Sequence, residues 1–372
     1  MMNEKELKPP VFIRPKKGDF YKKLLKEVQE NVLKDKAIQR KNIYKALFVL
    51  TLFFVFYACI LYFGNITSLL FLFYILMGFS MIIIFVNSFH DAAHNAVFFT
   101  KKQNRLFCYV LELFGSNSKI WIQRHVGLHH PYPNIQNWDC DIKQSDVVRI
   151  FPNSPWYKFH KMQHIYMWFL YPLYTLIWLF NRDFKDFFAT KDNYLKRVYK
   201  IPKIEYWKLF VAKIFNLFYM LVIPYWVLNQ TFGMIFLAWF VMHLCASVLG
   251  VVALISTHVD ESTVFPIPSK NGKMNTTWAH HQMLVTKDFS AGNPIADFLY
   301  GGFTHHVAHH LFPTVGHTYY PKITPIIRKY AKEYNLPYTC YPVFSAVRSH
   351  FFLLKNQGKE GKTDSIFTAR EL

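Results

Sequence analysis

Hydrophobic and polar positions fall along this chain in long blocks rather than short alternations. A polar, Lys-rich stretch covers 1–42, and two apolar runs follow at 44–63 and 68–87, separated only by "GNIT". A second pair, 207–228 and 231–256, is joined by "NQ". Each run has the ~20 residues that a helix needs to cross a bilayer, so the pattern predicts four transmembrane helices in two hairpins. A fifth run, 162–180, is long enough to span. If it crossed, however, the His-rich stretches on either side of it would face opposite sides of the membrane. Its Tyr and Trp residues, its central Pro172 and the flanking Lys158, Lys161 and Arg182 predict a helix lying in the interface. The expected fold is an all-α integral membrane protein with three parts. These are a basic N-terminal segment (1–42), a membrane region (43–256) with a long loop at 88–206, and a C-terminal region (257–372). By the positive-inside rule the first segment, the loop and the C-terminal region share the cytoplasmic face, where they form a helical cap.

Composition agrees with this class. The chain is 52% hydrophobic and 19% aromatic, with 18% charged residues against about a quarter in soluble domains. The formal net charge of +20 is assigned to the membrane face, the N-terminal tail lying against anionic headgroups or simply solvated. No nucleic-acid partner is expected. Cys59, Cys108, Cys140, Cys245 and Cys340 form no CxxC pair, which excludes a disulfide framework and thiolate metal sites. No cleavable signal peptide is expected, because the first apolar run follows a long charged stretch.

Histidine changes the picture. None of the 17 lies within the first three apolar runs, and His243 alone lies well within the fourth. Nine others gather at helix ends on the expected cytoplasmic side: His90 and His94 in "HDAAH", and His125, His129 and His130 in "RHVGLHH". His258 follows the fourth run, and His306, His309 and His310 lie in "THHVAHH". Pairs at i, i+4 share one helical face, which groups His90 with His94 and His125 with His129. Neutral imidazole is the commonest protein metal ligand, and nine exceed the four ligands of one zinc. Two metals with four or five nitrogens each fit the count, and iron suits nitrogen-rich ligation with open positions. Asp91, Asp139, Asp141, Asp260 and Glu261 are candidates to hold the rings' outer N–H groups, or else are solvated loop carboxylates. His305 points away from His306 on a helix and is expected to support the site or lie at the surface. His280 and His281 contact a substrate headgroup or cap the site, and His160, His164, His243, His317 and His350 are expected to be structural.

These motifs resemble the membrane fatty acid desaturase family from about residue 75 to about 340. Its three histidine boxes are similar to "HDAAH", "HVGLHH" and "HHVAHH", and its additional histidine to His258 in "STHVDE". The front-end, linoleoyl-CoA-desaturase-like branch is most similar, in "PNIQNWDCDI", "WAHHQMLVTKDFS" and "GGFTHHVAHHLFP". The chain departs from that branch at His306 (usually Gln), Ala308 (usually Glu), Val126 (usually Asn) and "PYPN". The resemblance implies a di-iron centre on His90, His94, His125, His129, His130, His258, His306, His309 and His310. It implies O2-dependent removal of hydrogen from two adjacent methylenes of an acyl chain, carried on CoA, acyl carrier protein or a membrane lipid. No HPGG haem motif is present, so electrons are expected from a separate donor of ferredoxin or cytochrome b5 type. Lys101, Lys102 and Arg105 are candidates for phosphate contacts if the carrier is CoA. Hydroxylation, ketolation or acetylenic-bond formation on the same scaffold is the nearest alternative. A non-redox membrane zinc hydrolase or metal carrier is the alternative from another class.

Overall fold

A computed structural model describes residues 8–15, 19–190 and 193–361. The expected positions of both chain ends, 1–7 and 362–372, lie outside the described residues. Among the described residues, four helices are long and apolar enough to cross a membrane: Lys36–Phe63, Thr67–Ala93, Lys203–Val227 and Phe232–His258, here spans 1 to 4. All four extend the expected runs at one or both ends. Span 2 packs along spans 1 and 4, and the approach to span 4 is close at Gly78. A Cβ there would lie 2.6 Å from Met242 Cγ, so a larger residue would push the helices apart.

The two short connections meet at one end of the bundle. Asn229 N donates to Asn65 Oδ1 (2.7 Å), and Gln230 Nε2 donates to the carbonyls of Gly64 (3.0 Å) and Asn65 (2.9 Å). The histidine-rich segments lie at the opposite ends of the same helices.

The run at 162–180 is not one continuous helix. It is α-helical over Gln163–Leu170, tightens to a 3-10 turn at Tyr171–Leu173 around Pro172, and widens to a π-turn at Trp178–Arg182. Proline removes a backbone donor and crowds the preceding turn, which accounts for the break. The segment leans on the middle of span 4. Thr175 N donates to Ser247 Oγ (3.0 Å), and Thr175 Oγ1 lies 2.9 Å from His243 Nδ1.

The basic N-terminal segment is more than a charged tail. Asp19 accepts from Tyr21 N and starts a helix, Phe20–Asn31, whose Phe20, Leu24 and Val28 are buried at four-residue spacing. That face packs on helix Tyr320–Glu333 and on Val307, Ala308 and Leu311 beside the third histidine box. Lys329 Nζ pairs with Glu27 (3.0 Å) across the contact. A two-residue parallel strand pair, Asp288–Phe289 with Cys340–Tyr341, ties the C-terminal region together.

Candidate metal centre

Each histidine box is carried by a helix end or a widened helical turn. Span 2 passes through a π-turn at Ile84–Phe89, and His90 N then donates back five residues to Phe85 O. His125–His129 is a second π-turn, with His130 N donating to His125 O (3.0 Å). The i, i+4 spacing of box two does bring the His129 ring to stack on that of His125 at 5.2 Å, but the ligand atoms divide: His130 gathers with His125, and His129 with other histidines. The third box begins its helix at His306, with His305 as the non-helical residue before it.

The nine rings form two buried groups. One comprises His90, His94, His125, His130 and His309; the other comprises His129, His258, His306 and His310. In each group the ligand atoms all lie within 4.8 Å of one another. In the first, Nε2 atoms face one another at 2.9 Å (His90–His125), 3.1 Å (His125–His130) and 2.9 Å (His130–His309). In the second, His258, His306 and His310 form a triangle of 2.8, 3.1 and 3.2 Å.

The outer nitrogens decide what those contacts are. His125 Nδ1 lies 2.8 Å from Asp141 Oδ2, and His129 Nδ1 lies 3.0 Å from both Asp139 oxygens. His310 Nδ1 lies 2.8 Å from Gln282 Oε1, and His258 Nδ1 lies 3.1 Å from Val285 O. These oxygens only accept, so each of the four rings carries its proton on Nδ1 and turns a lone pair inward at Nε2. Lone pairs facing each other at about 3 Å repel unless a cation lies between them. A metal–nitrogen bond of about 2.0–2.1 Å separates neighbouring ligands by about 2.9 Å at right angles and about 3.4 Å in a tetrahedron. The observed spacings fall at or near that range, so the donor set fits one ion per group. His94 Nε2 is buried with no hydrogen-bond partner among the described residues, another donor left for such an ion.

Protonation points the same way. Burial drives His94, His130, His306, His309 and His310 well below the ordinary imidazole value, and His125 down to about 3, so these rings are neutral near pH 7. Burial also opposes charge on His129, but Asp139 beside it prevails and raises its value. Burial alone would raise Asp141. Arg124, fully buried and 2.9 Å away, instead holds it well below the usual carboxylate range.

The remaining candidates separate. Asp91 lies 3.9 Å from His90 Nδ1 but bonds closely to His317 Nδ1 (2.8 Å), giving that histidine a place behind the first box. Asp260 pairs with Lys287, and Glu261 is exposed, so neither holds a ring of the two groups. His305 is buried rather than at the surface. Its Nδ1 meets Thr324 Oγ1 (2.8 Å) and its Nε2 lies 3.4 Å from Asp297, outside both groups. His281 is buried, its Nε2 2.9 Å from Pro133 O, and so is no headgroup contact; His280 is half-buried. His160 and His350 bond backbone carbonyls of Asp146 and Val259. Lys101, Lys102 and Arg105 are exposed on helix Lys101–Phe107. Arg124, Gln282 and Tyr320, whose hydroxyl lies 3.2 Å from His309 Nδ1, escaped sequence reasoning. Only the position of Gln282 directly after "WAHH" hinted at its part. All five cysteines are free.

Comparison with known proteins places this site in a family. The fatty acid desaturase family model matches residues 66–342. An acyl-lipid (8-3)-desaturase of Physcomitrium patens is 34% identical over 351 residues, covering 91% of this chain and 72% of its own length. An sn-1 linoleoyl-lipid 6-desaturase of Synechocystis sp. is 30% identical over 275 residues, covering 73% and 75%. The Delta(5) fatty acid desaturase A of Dictyostelium discoideum is 27% identical over 365 residues, covering 94% and 77%. With four membrane-length helices and relatives of the front-end type, the chain belongs to the fatty acid desaturase family and is a membrane oxidoreductase that desaturates acyl chains.

Proposed function

We propose that this desaturase binds two iron ions, one on His90, His94, His125, His130 and His309 and one on His129, His258, His306 and His310. Two convergent sets of five and four imidazoles carry the reading. Five nitrogens exceed a tetrahedral zinc site, and soft thiolates are absent from both sets, which favours iron. When bound and reduced, such ions supply the O2-dependent oxidant that removes hydrogen from the acyl chain.

The chain's own residues do the positioning. Asp139, Asp141, Gln282 and the Val285 carbonyl hold four rings in one tautomer and one orientation. Trp121, 4.5 Å from the His125 ring, and Phe303, 5.0 Å from the His90 ring, wall the groups with aromatic surface and keep water out.

The substrate is an acyl chain on a membrane lipid, a reading supported by the names of the relatives. Electrons come from a separate ferredoxin- or cytochrome b5-type protein. The segment 162–180 lies in the membrane interface, and both histidine groups face the cytoplasm within a helical cap.

Iron analysis of purified, iron-replete protein tests this, together with mass spectrometry of lipids from a host expressing the chain. Two irons per chain and new double bonds are expected, and His125→Ala should lower both. One zinc per chain, or hydroxylated products without alkenes, would overturn the reading.

A further inference from the structure

Behind the His125 ring, two guanidinium groups meet two carboxylates. Arg124, Arg182 and Asp186 are buried, and the Asp141 side chain is partly so. Arg124 is the residue before His125. Arg182 ends the π-turn Trp178–Arg182 of the broken segment, and Asp186 lies in the helix that follows it, Asp183–Phe188. One oxygen of Asp186 lies between the two arginines, 3.3 Å from Arg124 Nε and 3.6 Å from Arg182 Nε. Arg124 Nη2 donates to Asp141 Oδ1 (2.9 Å), and the other oxygen of Asp141 accepts from His125 Nδ1 (2.8 Å). Both arginines also donate to Cys140 O, at 2.8 and 3.0 Å, and Arg182 Nη1 donates to Gln144 O (2.8 Å). The loop that carries Asp139 and Asp141 is thereby fastened to the broken segment.

Such a network is a poor route to stability, because well-packed apolar residues often replace a buried ion pair without loss. What it supplies is position. A guanidinium presents its donors in a rigid planar fork, which sets where each acceptor lies. It also sets charge. A carboxylate on the outer N–H of a metal-binding histidine strengthens that imidazole as a donor. Arg124 draws on the same carboxylate, and Asp186 meets part of its positive charge from the other side. Without the Asp186 charge, Arg124 bears wholly on Asp141, and His125 becomes a weaker and less firmly oriented donor.

We propose that Asp186, which is bonded to no ring of either histidine group among the described residues, is a positioning residue for the first metal. It steadies Arg124, and through Arg124 the Asp141 carboxylate that orients His125. The proposal rests on the two groups holding iron, as argued above.

Asp183, in the same short helix, provides the control. It is buried and pairs with Lys213 (3.0 Å), and among the described residues it bonds neither Arg124 nor Asp141. Full-length, iron-loaded wild type and variants are reduced and mixed with a ferrous chelator, and iron release is followed in time. Loss of a group that bonds a ligand ring costs about 10–100-fold in metal affinity, so one link further out Asp186→Asn should release one of its two irons about three- to ten-fold faster. The other iron should leave at the wild-type rate. Asp183→Asn should release both at the wild-type rate, although thermal unfolding should show both variants destabilised. Asp186→Glu, which restores the charge, should recover most of the slow release. Arg182→Lys keeps its charge but loses the fork to Cys140 and Gln144. It should also speed release, and it carries the test if Asp186→Asn does not accumulate. Wild-type release from Asp186→Asn, or from Arg182→Lys in its place, would overturn the proposal. So would equal acceleration in Asp183→Asn, which would make the effect one of loosened packing. A wild type that takes up no iron would overturn the di-iron reading, and this inference with it.

Discussion

His305 and His306 are neighbours with different surroundings, and the difference is testable. His306 Nε2 is 2.8 Å from His258 Nε2 and 3.2 Å from His310 Nε2, whereas His305 bonds Thr324 and Asp297 outside both groups. His306→Ala removes one corner of a three-imidazole triangle, so metal content and desaturation should both fall sharply. His305→Ala leaves every ring of the two groups in place. It should keep the metal and measurable desaturation while costing about 1–3 kcal/mol of stability through the buried groups it leaves unpaired. Metal analysis and thermal unfolding at matched protein levels separate the two. A dead, metal-free His305→Ala beside an active His306→Ala would show the third box to be read one residue out of register. The nine positions were legible in the sequence because imidazole at helix ends beside apolar runs has few structural uses. Their division into five and four was not, since it depends on which helix brings His309 toward His130 and His258 toward His306. Nor was the support behind them. Arg124 reaches Asp141 and Asp141 reaches His125 through space that no spacing rule reports.

At the scale of elements, the long apolar runs announced four helices because membrane thickness sets their length. Helical periodicity also gave the correct face for His90 and His94. At box two it gave the stacked rings of His125 and His129, but not the widened turn that brings His130 N to His125 O and groups His130 with His125, a change with no signature in hydrophobic pattern. The break at Pro172 was visible as a residue type but not as a consequence, because only span 4 shows what the break lets Thr175 reach. The widened turn makes its own prediction. Deleting Gly127 returns His125 and His130 to an i, i+4 relation in an ordinary helix and keeps both on one face. Inserting an alanine after Gly127 makes the pair i, i+6 and carries His130 off that face. The deletion should therefore retain more metal and more desaturation than the insertion. Gly127→Ala, whose new Cβ would meet nothing closer than Gln123 Oε1 at 3.7 Å, should leave both nearly unchanged. Equal loss in deletion and insertion would mean that the extra residue is not what sets the His125–His130 contact.

Across the whole molecule, one end of the helix bundle holds the two short turns and the other holds both histidine groups. Span 4 runs from Phe232 beside the turns to His258 in the second group, about 40 Å along its axis, more than the hydrocarbon thickness of a bilayer. The turns are small and carry few charges, and they are bonded to each other through Asn65, Asn229 and Gln230. The opposite end carries the folded cap, where helix Phe20–Asn31 closes over the third box and Lys26, Lys322 and Lys329 are exposed. Because basic residues are retained on the cytoplasmic side, the cap should face the cytoplasm and the turns the far side. In a variant with its native cysteines replaced, a single cysteine at Ile66, exposed in the first turn, should react with a membrane-impermeant thiol reagent applied to intact cells. Cysteines at Lys26 or Glu360, both exposed on the cap side, should react only after the membrane is permeabilised. Desaturation by each variant confirms that the labelled molecules are folded. Labelling of Lys26→Cys or Glu360→Cys from outside, with Ile66→Cys protected, would turn the protein over in the membrane and put both histidine groups out of reach of a cytoplasmic electron donor.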